Sequence, residues 1–174
     1  KIVSTRHNIP LDRFTIVRNG PRLEKWPADI SADPELRARA GTILGYVGVL
    51  GKQDGLDYLL RAVKHLVEDC QETDVLAVII GDGSEMASLR QLTADLNIEP
   101  YVHFTGWVTG DLFRGSLSAA DICVDPDPHN DFNDHSTMIK MMEYMALGKP
   151  IVAFDLTEHR YSAQSAAVYV EPND

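Results

Sequence analysis

The chain of 174 residues is short of positive charge: 16 Lys and Arg stand against 26 Asp and Glu, a formal net charge of −10. That balance excludes broad electrostatic binding of nucleic acid or of an anionic membrane, but not a small anion held by local backbone dipoles. Cysteine is scarce. Cys70 and Cys123 lie far apart with no C-x-x-C, so they read as structural thiols of a reduced, cytoplasmic domain. No apolar run approaches the ~20 residues of a membrane span, and no signal peptide is visible. There is no H-x-x-x-H pair, no nucleophile motif, no G-x-G-x-x-G, no Walker loop, no internal repeat and no low-complexity segment. What is present, 44% hydrophobic and 24% charged residues, suits one soluble domain with a real core. The chain starts at Lys1 rather than Met and reads as a fragment.

Strand-like and helix-like stretches alternate. Phe14–Val17 is expected to be a short strand ending at the Asn19-Gly20-Pro21 turn, and residues 21–41 a polar connecting arm. Strands are expected at Thr42–Val47, Val75–Ile80, Tyr101–Phe104, Ile122–Val124, Pro150–Phe154 and Val168–Val170. Val75–Ile80 is continuously apolar, as in a sheet buried on both faces. Helices are expected at Asp57–Val67, after Gly81-Asp82-Gly83-Ser84, at Leu112–Ala120, at Ser136–Leu147 and at Tyr161–Ala167. This alternation predicts an α/β fold, a Rossmann-like parallel sheet with helices on both faces, whose ligands bind at the carboxyl ends of the strands.

Four segments carry candidate chemistry. The first is "NDHSTMIKMMEYMALGKP", residues 133–150, where Ser136 or Thr137 suits an N-cap and Gly148-Lys149-Pro150 a helix stop. At about 100° per residue, Ser136, Lys140, Glu143 and Leu147 share one face. Free N–H groups at the helix start would suit phosphate, and Glu143 further down would suit ribose hydroxyls. The plainer alternative is a capped core helix with a Lys140–Glu143 surface pair. The second, "GYVGVLGKQDG", residues 45–55, sets Gly48 and Lys52 after a strand, for close backbone approach and for charge on a phosphate, or simply as a glycine-rich turn. The third, "FTGWVTGD", residues 104–111, delivers Trp107 and Val108 to a loop that would line a base pocket or cover the sheet end. The fourth, "DPDPHND", residues 125–131, resembles a metal-binding D-x-D with His129 nearby, but its spacing is unspecific and no metal is expected.

Together the segments resemble the C-terminal domain of a GT-B glycosyltransferase of the retaining family 4, or glycosyl transferase group 1. The resemblance runs from "IVRNG" through "GYVGVLGKQDGLDYLLRA", "VIIGDGSEMASLRQL", "VHFTGWV" and "AADICVDPDP" to "STMIKMMEYMALGKPIVAFDLTEHRYSA". It implies an interdomain connection with a lead-in strand over 1–40 and a nucleotide-sugar-binding domain over 41–174. An N-terminal acceptor domain would be absent, and the fragment inactive alone. The family's hallmark is two Glu separated by seven residues. The second corresponds to Glu143, implied to hold the donor ribose. The first falls at His135, which is no carboxylate and leaves the donor-sugar contact unassigned. Ser136, Thr137 and Met138 match residues whose backbone N–H groups meet the diphosphate. The family's basic pair in the first βα loop is replaced by Val49 and Asp54, so Lys52 or Lys140 would have to supply that charge. Trp107 and Val108 match the nucleobase-side loop. The implied reaction moves a sugar from a nucleotide diphosphate sugar to a hydroxyl of an acceptor carbohydrate or lipid-linked sugar, with retention and without a metal or other cofactor. It would serve bacterial polysaccharide or glycoconjugate synthesis, with membrane association only through the absent domain. A nucleotide-sugar epimerase, a non-catalytic nucleotide-binding domain and a flavodoxin-like receiver are the alternatives. The receiver would need acidic residues that "GYVGVLG" lacks.

Overall fold

The six strands expected from Thr42 onward all form, because their β-branched and aliphatic runs have two apolar helical layers to pack against. A computed structural model describes residues 2–15, 17–27 and 30–173 of the chain. Strands β1 (Thr42–Val47), β2 (Val75–Ile80), β3 (Val102–Gly106), β4 (Ile122–Asp125), β5 (Ile151–Phe154) and β6 (Ala167–Val170) pair in parallel in the order β3-β2-β1-β4-β5-β6. Helices α1 (Ile2–His7), α2 (Pro34–Arg37), α3 (Leu56–Glu68), α4 (Met86–Asp95), α5 (Gly110–Ser118), α6 (Ile139–Ala146) and α7 (Thr157–Ala163) complete it. This is the doubly wound Rossmann order, in which chain direction along the sheet reverses between β1 and β4.

Alternation along the strands divides the core. Ile43 and Val47 of β1 join Leu76, Val78 and Ile80 of β2 on one face, against Leu117, Met141 and Tyr144. Leu44 and Tyr46 join Val75, Ala77 and Ile79 on the other, against Leu56, Leu59, Leu60, Val63 and Leu89. All six β2 residues are buried, as its unbroken apolar run requires.

Strands β1 and β4 pair only at Leu44–Ile122 and Gly45–Cys123. Beyond that the Tyr144 hydroxyl bridges the gap, accepting from Val47 N–H at 3.1 Å and donating to Val124 C=O at 3.3 Å. The strands therefore part at their carboxyl ends, where the chain reverses.

Three local expectations are corrected. Phe14, Thr15 and Val17 form no strand, and Ile16 lies outside the described residues. The segment follows the 3₁₀ turn Leu11–Arg13, and Val17 is 84% exposed rather than packed in a sheet. The lead-in to the domain is thus the short helix α1 and an extended arm. The helix expected from Ser136 begins at Ile139, after a 3₁₀ turn at Asn133–His135 and an extended Ser136. The last helix starts at Thr157 rather than Tyr161. The end of α6 follows expectation. Gly148 takes φ 63°, its N–H reaches Met145 C=O, and Lys149 N–H reaches Tyr144 C=O, closing the helix in a Schellman turn.

Among the described residues, no helix is long and apolar enough to cross a membrane. Both cysteines are free, Cys70 exposed and Cys123 buried.

Candidate nucleotide-sugar site

A cavity of about 690 Å³ opens at the carboxyl ends of β1, β2 and β3. Its floor is Val47-Gly48-Val49 and Ile80-Gly81. One wall is the loop from Trp107 to Gly110 with Phe113 and Arg114 of α5. The opposite wall is Ile139 and Glu143 of α6, and Gly20, Pro21, Arg22 and Trp26 of the arm close the rim. The floor depends on glycine. Gly81 has φ 139°, and a Cβ there would lie 1.9 Å from Gly48 O, so no other residue fits this turn.

The arm reaches the rim because α5 holds it. Trp26 packs edge-on against Phe113 at 5.7 Å, Asp33 N–H donates to Gly115 C=O, and the Ser118 hydroxyl donates to Ile30 C=O.

Ile139 and Glu143 lie one turn apart on the cavity face of α6. No side chain caps this helix at Met138, so the N–H groups of its first turn are left to water or to a ligand. Glu143 is half-buried, and burial raises its carboxyl; among the described residues no hydrogen bond or charge opposes the shift. A half-buried carboxylate with no partner among the described residues is an arrangement that folding alone does not favour.

Of the residues singled out in the sequence, the structure brings Gly48, Trp107, Val108 and Glu143 into this cavity. It does not bring the others. Lys52 sits exposed on the single turn Lys52–Asp54, outside the lining. His135 is exposed, its Nδ1 2.9 Å from Asp131 O. Ser136 and Thr137 are not N-caps: the Ser136 hydroxyl donates to Phe132 C=O and the Thr137 hydroxyl to Glu158. Met138 is the residue at the helix start, and it also lies outside the lining.

Lys140 is the largest correction. It is buried, neither paired with Glu143 at the surface nor free for a diphosphate. Its Nζ lies 2.8 Å from Asp127 Oδ1, 3.2 Å from Asp125 Oδ1 and 3.7 Å from Asp54 Oδ1, and 4.7 Å over the Tyr46 ring. Three residues along a helix turn the side chain by about 60°, which sends Lys140 toward the sheet while Glu143 faces the crevice. Burial pulls the ammonium down, but Asp125, Tyr46 and Asp127 outweigh it and hold the group well above its ordinary range. Burial and the Asp125 carboxylate push Asp127 up to about 8. Lys140 thereby joins the first βα turn, through Asp54, to the end of β4 and the loop beyond it, through Asp125 and Asp127. Asn133 reinforces the junction, donating to Gln53 C=O at 2.9 Å and Pro128 C=O at 2.8 Å.

The D-x-D carboxylates do meet a histidine, but it is His159 of α7. The His129 N–H donates instead to Asn173. One ligand atom each of Asp125, Asp127 and His159 lies within 4.8 Å of the others. His159 Nδ1 donates to Phe154 C=O at 2.9 Å, and Nε2 lies 3.4 Å from Asp125 Oδ2. These residue types could hold a cation, but the Lys140 ammonium already fills that role.

Sequence reading missed Arg22, Trp26, Phe113 and Arg114. Arg22 follows the Asn19-Gly20-Pro21 turn, the one local signal available. Nothing in that signal says that the arm folds back over the strand ends.

Comparison with known proteins identifies the family. The profile of the family described as "Glycosyl transferases group 1" matches residues 41–174. The chain belongs to this family. An uncharacterized glycosyltransferase of Methanocaldococcus jannaschii is 29% identical over 154 residues, covering 83% of this chain and 37% of its own. The lipopolysaccharide core biosynthesis glycosyltransferase LpsD of Rhizobium meliloti is 31% identical over 138 residues, covering 79% and 36%. The chain thus spans little more than a third of the length of these relatives. Among solved structures, Anabaena HepE in complex with UDP-glucose superimposes with a TM-score of 0.67 at 19% identity, over 92% of this chain and 44% of that one. That likeness confirms the Rossmann-like half of a GT-B fold.

Proposed function

We propose that the chain is the donor-binding half of a glycosyltransferase that moves a sugar from a nucleotide diphosphate sugar to a hydroxyl acceptor with retention. The observation that carries this reading is the pairing of the free α6 start with Glu143 one turn below, a half-buried carboxylate with no partner among the described residues, both facing one cavity at the strand ends. A ribose diol donates to Glu143. The diphosphate accepts from the first N–H groups of α6 and lies over the Gly48 turn, where the helix dipole favours negative charge. The base lies toward Trp107 and Val108. Arg22 and Arg114, the basic side chains of the cavity wall, supply the positive charge in place of Lys52 and Lys140. Because the leaving diphosphate is stabilised by dipole and arginine, transfer by this route uses no resident metal.

The acceptor, a carbohydrate or lipid-linked sugar, is held by the remainder of the polypeptide, a second domain packed across the cavity mouth. The likeness to LpsD favours a role in polysaccharide or glycoconjugate synthesis. Calorimetry of the full-length protein with UDP, GDP, uridine and guanosine tests the reading. One diphosphate is expected to bind at least about tenfold more tightly than its nucleoside, the worth of one charge-assisted hydrogen bond. Equal affinities would remove the phosphate from the α6 start.

A further inference from the structure

Two strips of the cavity wall come from distant parts of the chain, and one carboxylate outside the cavity holds both. Glu158, near the start of α7, accepts three hydrogen bonds. Arg18 Nη2 donates to Oε1 at 2.9 Å and Arg18 Nε to Oε2 at 3.0 Å. The Thr137 hydroxyl donates to Oε2 at 2.6 Å. The Glu158 side chain is 12% exposed, and the Arg18 guanidinium also lies 3.7 Å over the ring of Tyr161, the next turn of α7. Hydrogen bonding from Arg18 holds the Glu158 carboxyl below its ordinary range. The segment before α6 is anchored a second time, since Asp134 accepts from Thr157 N–H at 2.8 Å and from its hydroxyl at 3.0 Å.

The consequence lies a few residues along each strip. Beyond Arg18 the arm becomes Gly20, Pro21 and Arg22 of the cavity rim. Two residues beyond Thr137, Ile139 opens α6 on the cavity wall. Only an ionised carboxylate can take both guanidinium donors and a hydroxyl together. A carboxamide would turn its NH₂ toward the Arg18 donors.

We propose that Glu158 is a positioning residue for the phosphate end of the nucleotide site, tying the arm at Arg18 to the start of α6 at Thr137 so that the two strips act as one unit. This rests on the reading of the cavity as a nucleotide site and adds a coupling which that reading does not need. Glu158 touches no ligand. It sets the placing of the α6 N–H groups and of Arg22, both on the phosphate side, and leaves the Trp107 side alone.

The test is calorimetry on the full-length protein, using whichever of UDP and GDP binds more tightly, and its nucleoside. Thr137→Val and Arg18→Met are each expected to weaken diphosphate binding by about tenfold, the scale of one charged hydrogen bond, with nucleoside affinity unchanged. Thr137→Ser keeps the hydroxyl and should bind as wild type. The double variant should lose no more than the worse single variant, because both break the same junction. Glu158→Gln should match the double variant, and if it fails to fold the Arg18–Thr137 cycle still decides. Losses that multiply in the double variant, a parallel fall in nucleoside affinity, or wild-type binding by both single variants would overturn the coupling while leaving the nucleotide site standing. A wild-type protein that binds neither UDP nor GDP would overturn the site itself, and this inference with it.

Discussion

Lys140 and Asp127 face each other 2.8 Å apart inside the domain, one residue from α6 and the other from the loop after β4. The contact ties the helix that carries Glu143 to the strand ends on which the cavity is built. Asp125 and Asp54 share the same ammonium, so one cation serves a cluster of three buried carboxyl groups.

Lys140→Met should therefore act on stability. Removing one partner of a buried ion pair leaves its carboxylates uncompensated and costs about 3–5 kcal/mol. Urea denaturation at pH 7 measures the loss as a lower midpoint with an unchanged slope. A variant with wild-type stability but weakened diphosphate binding would instead return Lys140 to the role of a phosphate ligand.

Asp127 should make stability fall with rising pH. Its folded-state value of about 8 exceeds the ordinary 3.8, so between those values the folded protein binds more protons than the unfolded chain. Stability is highest near the lower value and declines toward the upper, by at most about 1.4 kcal/mol per pH unit. His103, which burial lowers from its usual 6.5, contributes the opposite slope below that pH. The informative quantity is thus wild type minus Asp127→Asn. Urea midpoints from pH 5 to 8 should decline more steeply in wild type than in the variant, and equal slopes would remove Asp127 from the balance.

Glu143 should be dispensable for folding and needed for binding. Burial raises its carboxyl with no compensating partner among the described residues, so Glu143→Gln should leave the urea midpoint at pH 7 unchanged or slightly higher. The same change should weaken diphosphate and nucleoside alike by about tenfold, since both carry the ribose and a hydrogen bond to a carboxylate is lost. In wild type, affinity for the nucleoside should also drop as pH falls through the raised Glu143 value, above the usual 4.5, and the variant should lack that drop. A large loss of stability with no separate binding defect would mark Glu143 as structural.

Strand positions were legible because period and composition act locally. Thr42–Val47 and Val75–Ile80 have the bounds that their apolar runs indicate, and the Gly148-Lys149-Pro150 stop works through backbone conformation alone. The start of α6 was not legible. Ser136 and Thr137 have N-cap chemistry, but their hydroxyls are taken by Phe132 C=O and by Glu158, a residue supplied by α7. Lys140 misled for a related reason. A lysine on an amphipathic helix is usually solvated, and only the convergence of Asp54 from the first βα turn with Asp125 and Asp127 from the end of β4 and the loop beyond it makes burial tolerable.

By itself the sequence determined the alternation of strands and helices, the glycine turns at the strand ends, and the family to which the chain belongs, since each is written in local pattern. It also singled out Glu143, which the fold brings to the cavity at the strand ends. Tertiary structure decided which cations face the cavity, because side-chain direction depends on neighbours brought together by the sheet. Lys140 turned inward to three carboxylates and Lys52 stayed outside. The arm, held down by Trp26 and Arg18, carried Arg22 over the strand ends, a placement that contacts across the fold impose and no neighbouring residue encodes.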